Sequence, residues 1–113
     1  MIIIAFSNKT SKKFAQLVCR KFKHVAPIIP DGRFLIMYQF VRPGYVEKIK
    51  LSARDLKILK AHGWQFIYIN GIDVPYDFNM RTAYSCVDLA KRAINMHNIF
   101  VQTPLALYKR LKQ

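Results

Sequence analysis

The chain has 113 residues, 52 % of them hydrophobic, which predicts one folded domain spanning 1–113. Its 19 Lys and Arg against 6 Asp and Glu leave a formal charge of +13, which favours anionic partners such as nucleic acid, an acidic lipid surface or an acidic polymer. Two cysteines and three histidines without metal-ligand spacing exclude a disulfide framework and a four-ligand zinc site, so we expect no cofactor.

The N-terminal run MIIIAF is too short for a membrane span and lacks the basic leader of a signal peptide. We therefore expect no transmembrane segment, a reducing cytosolic location and two free thiols. The same branched apolar residues, MIIIAFS, predict a buried strand over 1–7. The next stretch, NKTSKKFAQLVCRKF, predicts a helix over 8–22 with one apolar stripe and with Thr10 or Ser11 as its N-cap.

Three strand-like runs follow, HVAPII, RFLIMYQFV and VEKIKL, and the turn signal PDGR joins the first two into a hairpin. A short helix is predicted over SARDLKILKAHG. Ser52 and Asp55 approximate a capping box at its start, and Gly63 suits the position just past its end.

WQFIYINGI predicts another strand, closed by Asn70-Gly71, and DVPYDFNM predicts a loop. A helix is expected from about Ser85 to Met96. The last helix, TPLALYKRL, has Thr103 as its cap and a proline in its first turn. The order β-α-β-β-β-α-β-α-α, with its central hairpin, predicts an α+β fold with an antiparallel sheet.

Cys86 lies where the helix of RTAYSCVDLAKRAI is expected to begin. The unpaired N–H groups and the dipole of a first helical turn stabilise a thiolate, and they can lower a cysteine pKa from about 8.5 to about 3.5–7.5. The same N–H groups would face an oxyanion that forms at the target of the thiol. The competing interpretation is a small buried core residue, since free cysteine is often buried.

His24 is the candidate base for such a nucleophile, because it begins an apolar strand and stays near the rim of the sheet. His62 and His97 are better explained as residues at helix C-termini, which the helix dipole favours. The hairpin leaves two partners open for His24. A two-residue Asp31-Gly32 loop places it opposite Gln39, whereas a type I turn at Pro30-Asp31 with Gly32 as a bulge places it opposite Tyr38.

A cysteine at a helix start, packed on a sheet that carries a histidine and its polar partner, is the papain-like arrangement. The segments FKHVAPII, YSCVDLAKRAINM and VQTPLALYKRL resemble the circularly permuted NlpC-type papain-like proteins, in which the histidine strand precedes the cysteine helix. The lecithin retinol acyltransferase branch is related to that group. The resemblance covers roughly half of the chain and rests on these three short segments.

The resemblance implies a single permuted papain-like domain with Cys86 as nucleophile, His24 as base and Tyr38 or Gln39 as the orienting residue. Ser85 and Tyr84 would lie on the oxyanion or substrate side. The sequence YSCVD has neither the Asp-Cys-Ser-Gly of NlpC peptidases nor the Asn-Cys-Glu-His of the acyltransferases, so the substrate class does not carry over. Small proteins of this kind suggest a phage or bacterial source.

Two functions follow from these residues. The first is a thiol-dependent hydrolase or acyltransferase that acts on an amide or ester bond of an anionic peptide, a cell-wall fragment or a lipid. The alternative is a nonenzymatic module that binds nucleic acid or docks on a partner through its basic surface, with Phe, Tyr and Trp64 available for stacking. The absence of a recognisable nucleic-acid-binding motif leaves the second function with charge as its main support.

Overall fold

The computed structural model describes residues 1–7, 24–71, 82–98 and 100–112, which form a small α+β domain. Its strands are β1 (Ile2–Ser7), β2 (His24–Asp31), β3 (Phe34–Arg42), β4 (Tyr45–Leu51) and β5 (Gln65–Ile69). Its helices are α1 (Ala53–Ala61), α2 (Cys86–Ala93) and α3 (Pro104–Leu111). The helix expected over 8–22, which holds Cys19, and the loop expected over 73–80 lie outside the described residues.

The five strands form one antiparallel sheet in the order β4-β3-β2-β1-β5. The predicted α+β class and antiparallel sheet are confirmed. All six residues of β1 are buried. Side chains alternate between the two faces of a strand, so a continuous apolar run is stable only where both faces are covered. None of the helices in the described ranges is long and apolar enough to cross a membrane.

Each face of the sheet has its own hydrophobic cluster. On the first face, α2 and α3 pack on side chains of β1 and β2, with these buried members: Ile2, Ile4, Phe6, Val25, Val87, Ala90, Ile94, Val101 and Leu107. On the second face, α1 and Trp64 pack on Ile3, Ala5, Ala26, Ile28, Met37 and Leu51. Because side chains alternate between the two faces along each strand, neighbouring strand residues pack against different helices.

The predicted caps of α1 and α3 are confirmed. Ser52 and Asp55 form a complete capping box, and Gly63 adopts φ +94° after the end of α1. Thr103 accepts a hydrogen bond from the Ala106 N–H of α3, whose first residue is Pro104. These local signals mark where both helices begin and where α1 ends.

Helix α2 ends at Ala93, earlier than the predicted Met96. Asn95 adopts φ +57°, a left-handed conformation that ends a helix. The N–H of Met96 then donates to the Lys91 carbonyl at 2.8 Å, and that of Asn95 donates to the Arg92 carbonyl at 3.3 Å. Both bonds satisfy carbonyl groups of the last turn.

Both registers expected for the β2–β3 hairpin are wrong. Asp31 pairs with Phe34, so the loop consists of Gly32 and Arg33. Gly32, the first loop residue, has φ +62°, as a type II′ turn requires. Pro30 therefore stays in the strand, opposite Leu35, instead of beginning a turn.

Candidate functional site

His24 begins β2 and pairs with Ser7, the last residue of β1. Its ring is half-buried and meets the Trp64 ring edge-on, with the ring centroids 6.3 Å apart. Trp64 precedes β5, which pairs with the other side of β1. An indole and the ends of two strands thus hold the imidazole at one end of the sheet.

The second contact of the ring is a hydrogen bond between His24 Nε2 and Gln39 Oε1. In the observed register, Gln39 is a diagonal neighbour of His24 and not its direct partner, a separation that a long side chain can bridge. The amide oxygen of glutamine only accepts hydrogen bonds. His24 Nε2 therefore carries the hydrogen and donates the hydrogen bond to Gln39 Oε1. In the neutral ring, Nδ1 then carries the lone pair and is the basic nitrogen.

The alternative partner, Tyr38, is one residue away on β3 and so lies on the first face, while Gln39 lies on the second with Met37. Burial raises the pKa of Tyr38, and the Asp31 carboxylate raises it further. The structure brings Gln39, rather than Tyr38, to the His24 ring.

Cys86 is the first residue of α2, as the sequence predicts. Its side chain is half-buried and packs against the first-face cluster. Ser85 is the N-cap, and its Oγ accepts a hydrogen bond from the Asp88 N–H at 3.0 Å. The N–H groups of Cys86 and Val87 precede that bond in the same turn and have no acceptor within the helix.

The segment before Cys86 is held by a network around Asp88. The carboxylate of Asp88 accepts from the Tyr84 N–H at 3.3 Å and forms an ion pair with Arg92 Nε at 3.0 Å. The guanidinium of Arg92 also donates to the hydroxyl and the carbonyl of Thr82. Tyr84 itself is 56 % exposed, and its hydroxyl donates to Gln102. The network positions Tyr84 and Ser85 directly before the thiol.

The two candidate catalytic groups both belong to elements that meet at β2. Helix α2 packs against β2, and the cluster that Cys86 contacts includes Val25, the residue after His24. The His24 ring lies with Trp64 and Gln39 on the second face, whereas Cys86 packs on the first face. Their pairing remains a prediction.

The other two histidines and a buried lysine form hydrogen bonds near helix ends. His62 is the C-cap of α1, and its Nδ1 donates to the Ile58 carbonyl at 2.8 Å. His97 bonds to Asn95, which follows α2. Lys91, only 5 % exposed, donates to the carbonyls of Asn98 and Val101. Within the described ranges, no group of three or more His, Cys, Asp or Glu side chains is arranged to hold a metal ion.

Sequence reasoning missed the contact between Trp64 and His24. The signal that could have found it is positional, since Trp64 and His24 stand at the ends of the two strands that flank β1.

Comparison of the chain with protein-family models, curated proteins and solved structures found no match. The function therefore has to be inferred from this chain's own residues.

Proposed function

We propose that the chain is a thiol-dependent hydrolase or acyltransferase with a papain-like site, in which Cys86 attacks an amide or ester carbonyl. The observation that carries the proposal is the His24–Gln39 hydrogen bond. An acceptor on Nε2 leaves Nδ1 as the base, and a neutral amide orients the ring without adding a charge. The position of Cys86 in the first turn of α2 supplies the second half of the site.

The reaction follows from these two groups. His24 Nδ1 takes the thiol proton, and the Cys86 sulfur bonds to the carbonyl carbon, whose oxygen becomes an oxyanion. The first-turn N–H groups of α2 would face that oxyanion. The imidazolium then returns its proton to the departing amine or alcohol, which leaves a thioester on Cys86. Water completes a hydrolysis, and an acceptor amine or hydroxyl completes a transfer.

The substrate that we propose is anionic. A net charge of +13 attracts acidic peptides, cell-wall fragments and phospholipids, and it speeds their encounter with the site. Tyr84, exposed beside the cap of α2, offers an aromatic surface at the entrance. A thiol nucleophile is preserved best in a reducing compartment, which favours the cytosol.

Acyl transfer from p-nitrophenyl acetate tests the proposal, because this probe needs no specific substrate recognition. We expect the acetyl group on the Cys86 peptide, detected by mass spectrometry, with release of p-nitrophenolate. Cys86→Ala should abolish that modification, and His24→Gln should slow it by about 10²- to 10⁴-fold.

The chain offers a matched control for each variant. Cys19→Ser removes the other thiol, and His97→Gln removes an exposed histidine that bonds to Asn95. Both controls should react at the wild-type rate. Acetylation of Cys19 at a similar rate, or equal rates for His24→Gln and His97→Gln, would contradict the proposed site.

A further inference from the structure

The outer part of the first face carries aromatic side chains on β3 and basic side chains on β4. Tyr38 pairs with Lys48, and Lys50 pairs with Ile36, so these residues share one face of the β3–β4 hairpin. Phe34, two residues before Ile36, continues the same row. We call the surface formed by Phe34, Tyr38, Lys48 and Lys50 the hairpin face.

The hairpin face is exposed to solvent at Phe34, Lys48 and Lys50. Phe34 is 41 % exposed, and both lysines are exposed. The Lys50 ammonium lies 3.8 Å from the Phe34 ring centroid, and that of Lys48 lies 6.0 Å from the ring centroid of Tyr38. Each lysine therefore lies over the π-face of a ring.

Within the described part of the chain, two acidic residues lie on the strands next to this face, Asp31 and Glu47. Asp31 pairs with Phe34 and raises the pKa of Tyr38, so one carboxylate lies at the turn end of the surface. Glu47 alternates to the second face, where it pairs with Gln39. Among the residues that the structure describes, two lysines against one peripheral carboxylate leave the hairpin face positive, in line with the charge of the whole chain.

We propose that the hairpin face binds single-stranded nucleic acid, a function separate from the chemistry of Cys86. Bases stack on Phe34 and Tyr38, and the two ammonium groups turn from the rings to the phosphates. Two rings on one face of a sheet, at Phe34 and Tyr38, offer flat surfaces to bases that a single strand can unstack. An acidic peptide or a lipid headgroup would use the lysines and leave the exposed Phe34 ring unused, and a duplex hides the faces of its bases.

Fluorescence anisotropy with a labelled oligothymidine of about 12 nucleotides tests the proposal. Phe34→Leu removes the ring and keeps an apolar side chain, and we expect binding to weaken by about 5- to 100-fold. Lys48→Gln with Lys50→Gln should flatten the slope of log K against log salt by about 1.4, or about 0.7 per lysine, between about 50 and 200 mM.

A charge-matched control replaces Arg54 and Lys57, two exposed residues of α1, by Gln. If charge alone determined binding, this control and the Lys48→Gln, Lys50→Gln variant would lose the same amount of affinity. Phe34→Leu would then bind with wild-type affinity. That result, or equal affinity for oligothymidine, a duplex of the same length and polyglutamate, would overturn the proposal. Wild-type affinity in Cys86→Ala would show that binding does not depend on the proposed thiol chemistry.

Discussion

Replacing Gln39 by Leu removes the acceptor of the His24 Nε2–H bond while keeping the approximate volume of the side chain. A neutral hydrogen bond contributes about 0.5–1.5 kcal/mol net, and a fully buried donor left without an acceptor costs about 1–3 kcal/mol. Both side chains are half-buried, so water can reach the freed ring, and the lower range applies. We expect a loss of about 0.5–1.5 kcal/mol, or about 2–6 °C in Tm.

The same change should slow acetylation of Cys86. Without the Gln39 acceptor, the ring is free to carry its proton on Nδ1, and that tautomer cannot take a proton from the thiol. A reduction of about 3- to 10-fold corresponds to the energy of the lost bond. Nitrogen-15 NMR of His24 reports the tautomer directly, and Gln39→Glu, which keeps an acceptor oxygen but adds a charge, should keep the Nε2–H tautomer.

The refuting result is specific. If Gln39→Leu kept the wild-type Tm, the Nε2–H tautomer and the acetylation rate, Gln39 would have no role in orienting His24. A fall in Tm without a change in tautomer or rate would assign the bond to stability alone and remove the main support for the proposed base.

Three further changes test how α1 and α2 are held. Ser85→Ala removes the N-cap of α2 and should cost about 1 kcal/mol in urea unfolding, and an unchanged midpoint would contradict the capping role. Lys91→Met keeps the apolar stem but leaves two carbonyls without their donor, so we expect a loss of about 2–3 kcal/mol, whereas exposed Lys109→Met should cost little. Hydrogen bonds from the backbone and side chain of Ser52 lower the pKa of Asp55. Its carboxylate therefore stabilises the fold above about pH 4, the ordinary Asp range. This stabilisation is lost as the pH falls through the lowered pKa. The Tm difference between wild type and Asp55→Asn should therefore shrink from about pH 6 to about pH 2.5, and a constant difference would contradict this assignment.

Elements fixed by local signals could be predicted from the sequence. The capping box at Ser52 and the proline of α3 act within one helical turn, and the structure shows both. The apolar run of β1 predicts a buried strand because burial on both faces needs apolar residues at every position. The start of α2 at Cys86 follows from the preference for Ser at the N-cap.

Features that depend on loop conformation or long-range packing could not be predicted. The PDGR turn fits several loop types, and the positive φ of Gly32 belongs to a Gly32-Arg33 loop, whose register differs from both of the expected ones. The approach of Gln39 to His24 was expected, but for the wrong reason, since the contact is diagonal. The two carbonyls that receive the Lys91 ammonium lie 7 and 10 residues away, beyond any helical periodicity.

The measurement that tests the central claim most directly is the rate of Cys86 alkylation by iodoacetamide as a function of pH. A thiol activated by His24 and the first turn of α2 should react well below pH 8 and much faster than Cys19, and His24→Gln should move its profile toward the ordinary thiol pKa of about 8.5. Equal, slow alkylation of Cys86 and Cys19, with a profile that His24→Gln leaves unchanged, would contradict the proposed nucleophile.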